Sequence, residues 1–345
     1  MKEITPRTLL TLAIPTFNRF DCLQLLIDSV MHQLPSEGIL GEKLEILVCN
    51  NASTDGTTNY LNSLANIKGV RVIHHSVNIG PGANILYSCQ AAKSKYAWIM
   101  GDDDVPLDGA ILAVIECLER DIPDLVYLPA HWVTGDLSYQ AKCRIKTKDL
   151  SELDRMGLAI RASVYVTFIS SWVLNMDAYK GYSHPPLIDR YRGTSLPHLE
   201  WIFTLLVQGR KFLCANDDWI IARGGSSGGY AVFEVFSQQY NRIVDEKLDT
   251  DVRLHDFFRR CMLWCYIPGL IWGVRTGAIG RFESINKNQV IDELKVAYGN
   301  DFFFILFVVP IVKFYSPLAW CFRIGVGIWG KSWLYWSRKR VLAMS

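Results

Sequence analysis

The most constraining feature of this chain is an alternation in its first 130 residues. Short apolar runs at 9–14, 44–49, 70–74, 96–100 and 125–128 have the length and composition of buried strands. Between them lie segments with helical periodicity. Leu23, Leu26, Ile27, Val30, Met31 and Leu34 form one apolar stripe, and Ile111, Val114, Ile115 and Leu118 form another. The first of these helices is expected to be capped by Asn18. Further helices are expected from Gly56 to about Ala65 and after the turn Gly80-Pro81-Gly82. Strand–helix alternation repeated in this way predicts an α/β fold, a mostly parallel sheet with helices on both faces. Ligands of such sheets sit beyond the carboxyl ends of the strands. The polar clusters at 15–19, 50–55, 78–84 and 101–104 all fall there, so a single site built from four loops is expected.

Composition narrows the function. Half of the 345 residues are hydrophobic and 20% are charged, which excludes a disordered chain. The 36 Lys and Arg nearly cancel the 34 Asp and Glu, so no nucleic-acid binding by bulk charge is expected. Nine cysteines with no CxxC pair read as free thiols of a reducing cytoplasm. The N-terminus does not resemble a signal peptide.

The net charge of +2 hides an asymmetry. No acidic residue follows Asp301. Residues 302–345 carry +6 and 12 of the 42 aromatics, leaving −4 on residues 1–301. The uninterrupted apolar run 302–312 is shorter than the roughly 20 residues of a membrane span. Counting across Lys313 to 322 keeps a single span open. Downstream, Phe322, Val326, Trp329, Trp333 and Trp336 share one helix face. Trp on one face with Lys and Arg beside it suits an interfacial helix on an anionic membrane surface. An ordinary helix docked on the protein body is the alternative. The uncharged run 261–274 is expected to lie beside it.

Asp102-Asp103-Asp104 directly after an apolar strand is the strongest chemical signal. Adjacent carboxylates repel unless a cation neutralises them, and hard cations such as Mn²⁺ or Mg²⁺ take oxygen ligands and bridge to phosphates. The competing reading is an acidic turn that caps a helix near 106–109. The chain has no P-loop, no Gly-x-Gly-x-x-Gly after the first strand and no Gly-x-Ser-x-Gly.

Four motifs then stand in order: Ala13-Ile14-Pro15-Thr16-Phe17-Asn18-Arg19, Asn50-Asn51-Ala52-Ser53-Thr54-Asp55-Gly56-Thr57, Asn78-Ile79-Gly80-Pro81 and Trp98-Ile99-Met100-Gly101-Asp102-Asp103-Asp104. In order and spacing they resemble glycosyltransferase family 2, enzymes of the GT-A fold, and within it the O-antigen abequosyltransferase-like branch. The resemblance covers residues 8–130. It implies a nucleotide-sugar donor (CDP-, UDP- or dTDP-sugar) with Pro15 and Thr16 against the nucleotide and Asn51 at the base edge. Asn18, Arg19, Ser53, Asp55, Asn78, Gly80, Asn84 and Asp102 complete the donor loops. Asp103 would contact the ribose and share the metal with Asp104, which would ligate Mn²⁺ or Mg²⁺ on the diphosphate. Gly101 stands where many members carry a first Asp, Asn50 and Asn51 replace two Asp, and Ala83 replaces an Arg.

The resemblance also places a catalytic base near residue 200. His198-Leu199-Glu200 follows Pro197 at an expected helix start, with Glu200 the first choice and His198 the second. Arg223 and the Gly/Ser run behind it read as a lid over the diphosphate, or as a linker. The implied organisation is a GT-A catalytic domain over 1–230, with nucleotide-sugar binding in 1–130 and the acceptor part in 131–230. A helical region over 231–300 and a membrane-associating tail over 301–345 follow. The implied acceptor is a lipid-linked, undecaprenyl-type oligosaccharide at the cytoplasmic face of the inner membrane. Two other classes stay open, a non-catalytic nucleotide-sugar-binding subunit and a nucleotidyltransferase.

Overall fold

The computed structural model describes residues 7–34, 38–138, 140–182, 191, 193–224, 231–277, 287–314 and 316–342. The chain divides into two compact units. One comprises residues 1–154, 167–193 and 197–224, and the other 155–166, 194–196 and 225–345.

The first unit is built on an eight-stranded sheet of order β3-β2-β1-β4-β9-β6-β10-β8. Its strands are β1 (Leu10–Thr16), β2 (Leu44–Asn50), β3 (Val70–His74), β4 (Tyr96–Ile99), β6 (Leu125–Tyr127), β8 (Leu150–Leu153), β9 (Trp172–Asn175) and β10 (Phe212–Ala215). The β1–β2, β2–β3, β1–β4 and β6–β10 pairs are parallel, as the alternation predicts. Strand β9 is not foreseen by the alternation. It enters antiparallel between β4 and β6, with Trp98 opposite Val173 and Tyr127 opposite Trp172. An antiparallel strand starts where its parallel neighbours end, so the residues just before Trp172 lie at the carboxyl edge of the sheet.

The connecting helices are α1 (Phe20–Gln33), α2 (Thr57–Leu64), α3 (Pro81–Ala91) and α4 (Ala110–Asp121). Leu23, Leu26, Ile27 and Val30 of α1 are buried against the sheet, as their spacing requires. Helix α6 (Met176–Gly181) follows β9, and α7 (Leu199–Gln208) precedes β10. A small second sheet orders β5 (Val105–Pro106), β11 (Ile220–Arg223) and β7 (Ala130–Val133) as β5-β11-β7. Residues 105–106 are therefore strand, and the acidic turn does not cap a helix. Helix α4 starts instead after Gly109, whose φ of +83° suits glycine. Its Ile111 N–H is taken by the buried Gln33 Oε1 at 3.3 Å, and Gln33 Nε2 donates to Pro106 O at 3.1 Å.

The second unit is helical. Its labelled helices are α5 (Arg155–Ala162), α8 (Tyr240–Lys247), α9 (Val252–Cys261), α10 (Ile267–Thr276), α11 (Lys287–Tyr298), α12 (Val309–Lys313) and α13 (Ser316–Leu342). Short π-helical turns lie at Val235–Gln239, Met262–Tyr266 and Phe304–Val308. The run 302–322 is not one helix. It breaks at Phe314, where ψ is 160°, and Arg275 donates from Nη1 to Ile311 O and Val312 O and from Nη2 to Phe314 O. Those bonds satisfy the carbonyls that a helix end leaves open. Among the described residues no helix is long and apolar enough to cross a membrane.

Helix α13 packs beside the run 261–274, as the sequence suggests. The expected five-residue face divides between two roles. Val326 is buried, and Trp333 stacks on Phe257 at 5.3 Å and meets Trp264 edge-on at 5.2 Å. Trp329 and Trp336 remain exposed, joined by Trp320, Ile328 and Tyr335. All nine cysteines are free thiols.

Replacing Gln33 by Leu keeps the volume but strands a helix-start N–H and the Pro106 carbonyl. Unfolding in urea should show a loss of about 1–3 kcal/mol, whereas a purely space-filling Gln33 would give no loss.

Candidate active site

The four loops meet at the carboxyl edge of the parallel strands. Asn50 and Asn51 show why amides stand there. Asn50 Nδ2 donates to Thr58 Oγ1 at 3.0 Å and faces His74 Nδ1 at 3.1 Å, while its Oδ1 accepts from Ser53 N–H at 3.0 Å. Asn51 Nδ2 donates to Asn78 Oδ1 at 2.9 Å, and its Oδ1 accepts from Ile79 N–H at 2.8 Å. A carboxylate accepts only, so Asp could not donate at either position. Asn51 is buried and braces the third loop. Asn78 Oδ1 also takes Gly80 N–H at 2.8 Å. Asn84 is buried as a strut, donating to Cys49 O at 3.0 Å.

Asn18 is not the cap of α1. It has φ +51°, and its Oδ1 accepts from Thr54 N–H at 2.7 Å while its own N–H donates to Ser53 Oγ at 2.9 Å. Asp55 takes the capping role for two helices, accepting Phe20 N–H at 3.2 Å and Thr57 N–H at 3.0 Å. The first and second loops are thus clasped to each other. Pro15 is half-buried at the end of β1, and Thr16 beside it is buried.

The three aspartates form the polar centre. Asp102 Oδ2 accepts from Thr16 Oγ1 at 2.7 Å, and its Oδ1 lies 3.1 Å from Arg19 Nη1. The same Nη1 is 2.5 Å from Asp103 Oδ2. Asp104 Oδ2 accepts from Ser170 Oγ at 2.6 Å, and its Oδ1 accepts Arg223 N–H at 3.1 Å. Burial pushes the Asp102 carboxyl up to about 6, against the pull of Arg19. Burial, and next the Asp103 charge, raise Asp104 as well. Among the described residues Arg19 is the one cationic side chain hydrogen-bonded to this trio, reaching Asp102 and Asp103. Such a cluster carries excess negative charge with little water to disperse it, which fits a divalent cation. No group of three or more His, Cys, Asp or Glu side chains among the described residues forms a metal cage. Mg²⁺-type ions are commonly held by one or two carboxylates together with substrate phosphates, so a partial ligand set is the expected form.

Gly101 makes the cluster possible. A Cβ there would lie 2.9 Å from Asp104 Oδ2 and 3.3 Å from Asp103 Oδ1. Arg223 reaches the site through its backbone, since β11 pairs Ile221 with Val105 just after Asp104. Its guanidinium donates to Gly135 O at 2.9 Å. The Gly/Ser run 225–230 read as a lid lies outside the described residues.

Sequence reasoning missed Ser170. It is fully buried just before β9, accepts Gly101 N–H at 2.9 Å and gives its carbonyl to Trp98 Nε1–H at 2.7 Å. No local signal marks it, because its role depends on the antiparallel strand. His198 and Glu200 do lie at a helix start. His198 is buried, and its Nε2–H donates to Thr167 O at 2.9 Å. Burial lowers its imidazole to about 4, although the Thr167 bond pulls the other way. Glu200 is 3% exposed, and Tyr179 Oη donates to its Oε1 at 3.3 Å. Tyr179, on α6, was also invisible in the sequence.

An imidazole held neutral resists protonation in the fold. His198 therefore costs nothing above about pH 6.5 and removes stability as pH falls towards 4, by up to about 3 kcal/mol. Urea unfolding at pH 7 and pH 4.5 should show a shallower pH dependence for His198→Gln than for the wild type; equal slopes would contradict a buried neutral ring.

Residues 11–168 match the family model described as Glycosyl transferase family 2. A curated relative, abequosyltransferase RfbV of Salmonella typhimurium, is 28% identical over 205 residues, which is 55% of this chain and 59% of the relative. The chain thus matches under two thirds of that relative's length. Among solved structures, residues 1–349 of S. aureus TarS superpose with a TM-score of 0.59 at 13% identity, over 96% of this chain and 92% of that one. The mannosyltransferase PcManGT from Pyrobaculum calidifontis, in complex with GDP-Man and Mn²⁺, gives 0.52 at 14% identity, over 97% and 89%. These two likenesses concern the fold alone. Over residues 11–168 the chain is thus similar to glycosyl transferase family 2, and it has the GT-A-like fold.

Proposed function

We propose that this protein is a metal-dependent, inverting glycosyltransferase. It moves a sugar from a CDP-, UDP- or dTDP-sugar to a lipid-linked, undecaprenyl-type oligosaccharide in O-antigen or related surface-polysaccharide synthesis. The carrying observation is the trio of buried Asp102, half-buried Asp103 and buried Asp104, with Arg19 as its cation. The relative's name, abequosyltransferase, supports a deoxysugar donor.

In this reading the Asn51–Asn78 and Asn18–Ser53 clasps hold the loops that receive the nucleotide. Asp103 would take the ribose and, with Asp104, would hold Mn²⁺ or Mg²⁺. When bound, such an ion supplies positive charge to the diphosphate leaving group. Thr16 and Arg19 fix Asp102, and Ser170 fixes Asp104, so the oxygen atoms need little rearrangement. Arg223, tied to Asp104 through its backbone N–H, would supply a cation to the phosphates. Glu200 accepts the proton of the acceptor hydroxyl as that oxygen attacks the anomeric carbon. Tyr179 orients the carboxylate through its hydrogen bond. A buried neutral His198 tied to Thr167 suits positioning better than proton transfer.

The test is transfer with a panel of CDP-, UDP-, GDP- and dTDP-sugars with Mn²⁺. Asp104→Ala should lose the metal dependence and at least 100-fold in kcat. Glu200→Gln should bind donor normally yet lose transfer by a similar factor. Full transfer by Glu200→Gln would refute the base. Release of pyrophosphate would indicate a nucleotidyltransferase, and binding without turnover a non-catalytic subunit.

The acceptor reading rests on the tail. The outward arc of α13 presents Trp320, Ile328, Tyr335 and Trp336 together with Lys331 and Lys339, a composition suited to an anionic cytoplasmic leaflet. Deleting residues 302–345 would also strip the cover from Phe257 and Trp264, so surface substitutions are the cleaner test. Trp320→Glu with Trp336→Glu should weaken binding to phosphatidylglycerol vesicles at least tenfold in co-sedimentation, with the melting temperature unchanged. Unaltered vesicle binding would refute the membrane role of this face.

A further inference from the structure

One cavity of the second unit is not used by the catalytic reading. It is a groove of about 370 Å³ lined by Phe303, Phe307, Cys321, Gly325, Val326 and Trp329. It runs along one flank of α13, beside the π-helical turn Phe304–Val308. Its walls are aromatic and aliphatic, with one thiol. Phe307 and Trp329 remain 40% and 55% exposed although they face a ready-made apolar trough. Exposed aromatic surface of this kind marks a binding site more often than an ordinary surface.

We propose that this groove takes a single hydrocarbon chain of the acceptor lipid, an inference that rests on the acceptor reading above. The volume lies in the range of small-molecule sites. A protein helix about 10 Å across needs a longer trough. Charge points the same way. The turn Phe304–Val308 and α13, which form the groove, carry Arg323 and Lys331 among their cations and no acidic residue. An anionic phosphate at the head of the chain would therefore meet only cations on these elements. The groove is distinct from the outward aromatic arc: the arc rests on a membrane, whereas the groove withdraws one chain from it.

Gly325 offers a direct test. It lines the groove, and a Cβ built on it meets nothing within 4 Å. Gly325→Leu thus projects a side chain from the helix into the trough, its Cβ clear of every neighbour. Cys321 in the groove and Cys143 in the first unit are both exposed thiols, so one reports the site and the other serves as control. Alkylation of the full chain by N-ethylmaleimide is followed at each thiol by peptide mass spectrometry, with farnesyl monophosphate or inorganic phosphate as the probe. Farnesyl monophosphate should slow reaction at Cys321 at least tenfold and leave Cys143 unchanged. Inorganic phosphate should protect neither. In Gly325→Leu the protection ratio at Cys321 should fall close to one. The groove assignment is overturned if Cys321 is not protected, if both thiols are protected alike, or if Gly325→Leu retains protection. A parallel transfer assay on an isoprenyl-linked sugar separates the two readings. Transfer without protection removes the groove and leaves the acceptor reading standing; protection without transfer does the reverse.

Discussion

The site depends on the contact between Ser170 and Asp104. Three consecutive carboxylates at a strand end would splay apart by repulsion in water. Here the last is held by a buried hydroxyl at 2.6 Å and a backbone N–H at 3.1 Å, from two segments far away in sequence. Ser170 can do this because β9 inserts antiparallel between β4 and β6, which delivers its leading residues to the carboxyl edge. Gly101 then leaves room for the oxygens to converge. The sheet order, the missing side chain at 101 and the acidic centre form one connected arrangement.

Much of the first unit was legible because it follows local rules. The stripe of α1, the strands at 44 and 70 and the Pro81 helix start are encoded by spacing within a dozen residues. The four loops could be placed together because parallel strands put all their ends on one edge. What escaped prediction was non-local. Strand β9 has only three apolar residues and no turn signature, and its position comes from a gap between β4 and β6 that no sequence window contains. Ser170, Tyr179 and Gln33 escaped for the same reason. Each looks ordinary in sequence and acquires its role from a partner on another element.

Some predicted residues carry the loops more than they face outward. Asp55 caps two helices, Asn84 props β2, and Asn50 braces its own turn. Ligand-binding loops of this kind gain precision when their polar side chains are already hydrogen-bonded, since less order has to be created on binding. The amides at 50 and 51 therefore read as parts of an intact scaffold rather than as remnants of a decayed one.

Helix α13 carries a further consequence. One side is buried on Phe257 and Trp264, and the other leaves Trp320, Ile328, Tyr335 and Trp336 bare beside Lys331 and Lys339. A surface of that kind has no neutral state in plain buffer. Exposed apolar surface of this kind favours association with another apolar surface. The six cations of residues 302–345 oppose such association between copies through like-charge repulsion, and salt screens the repulsion.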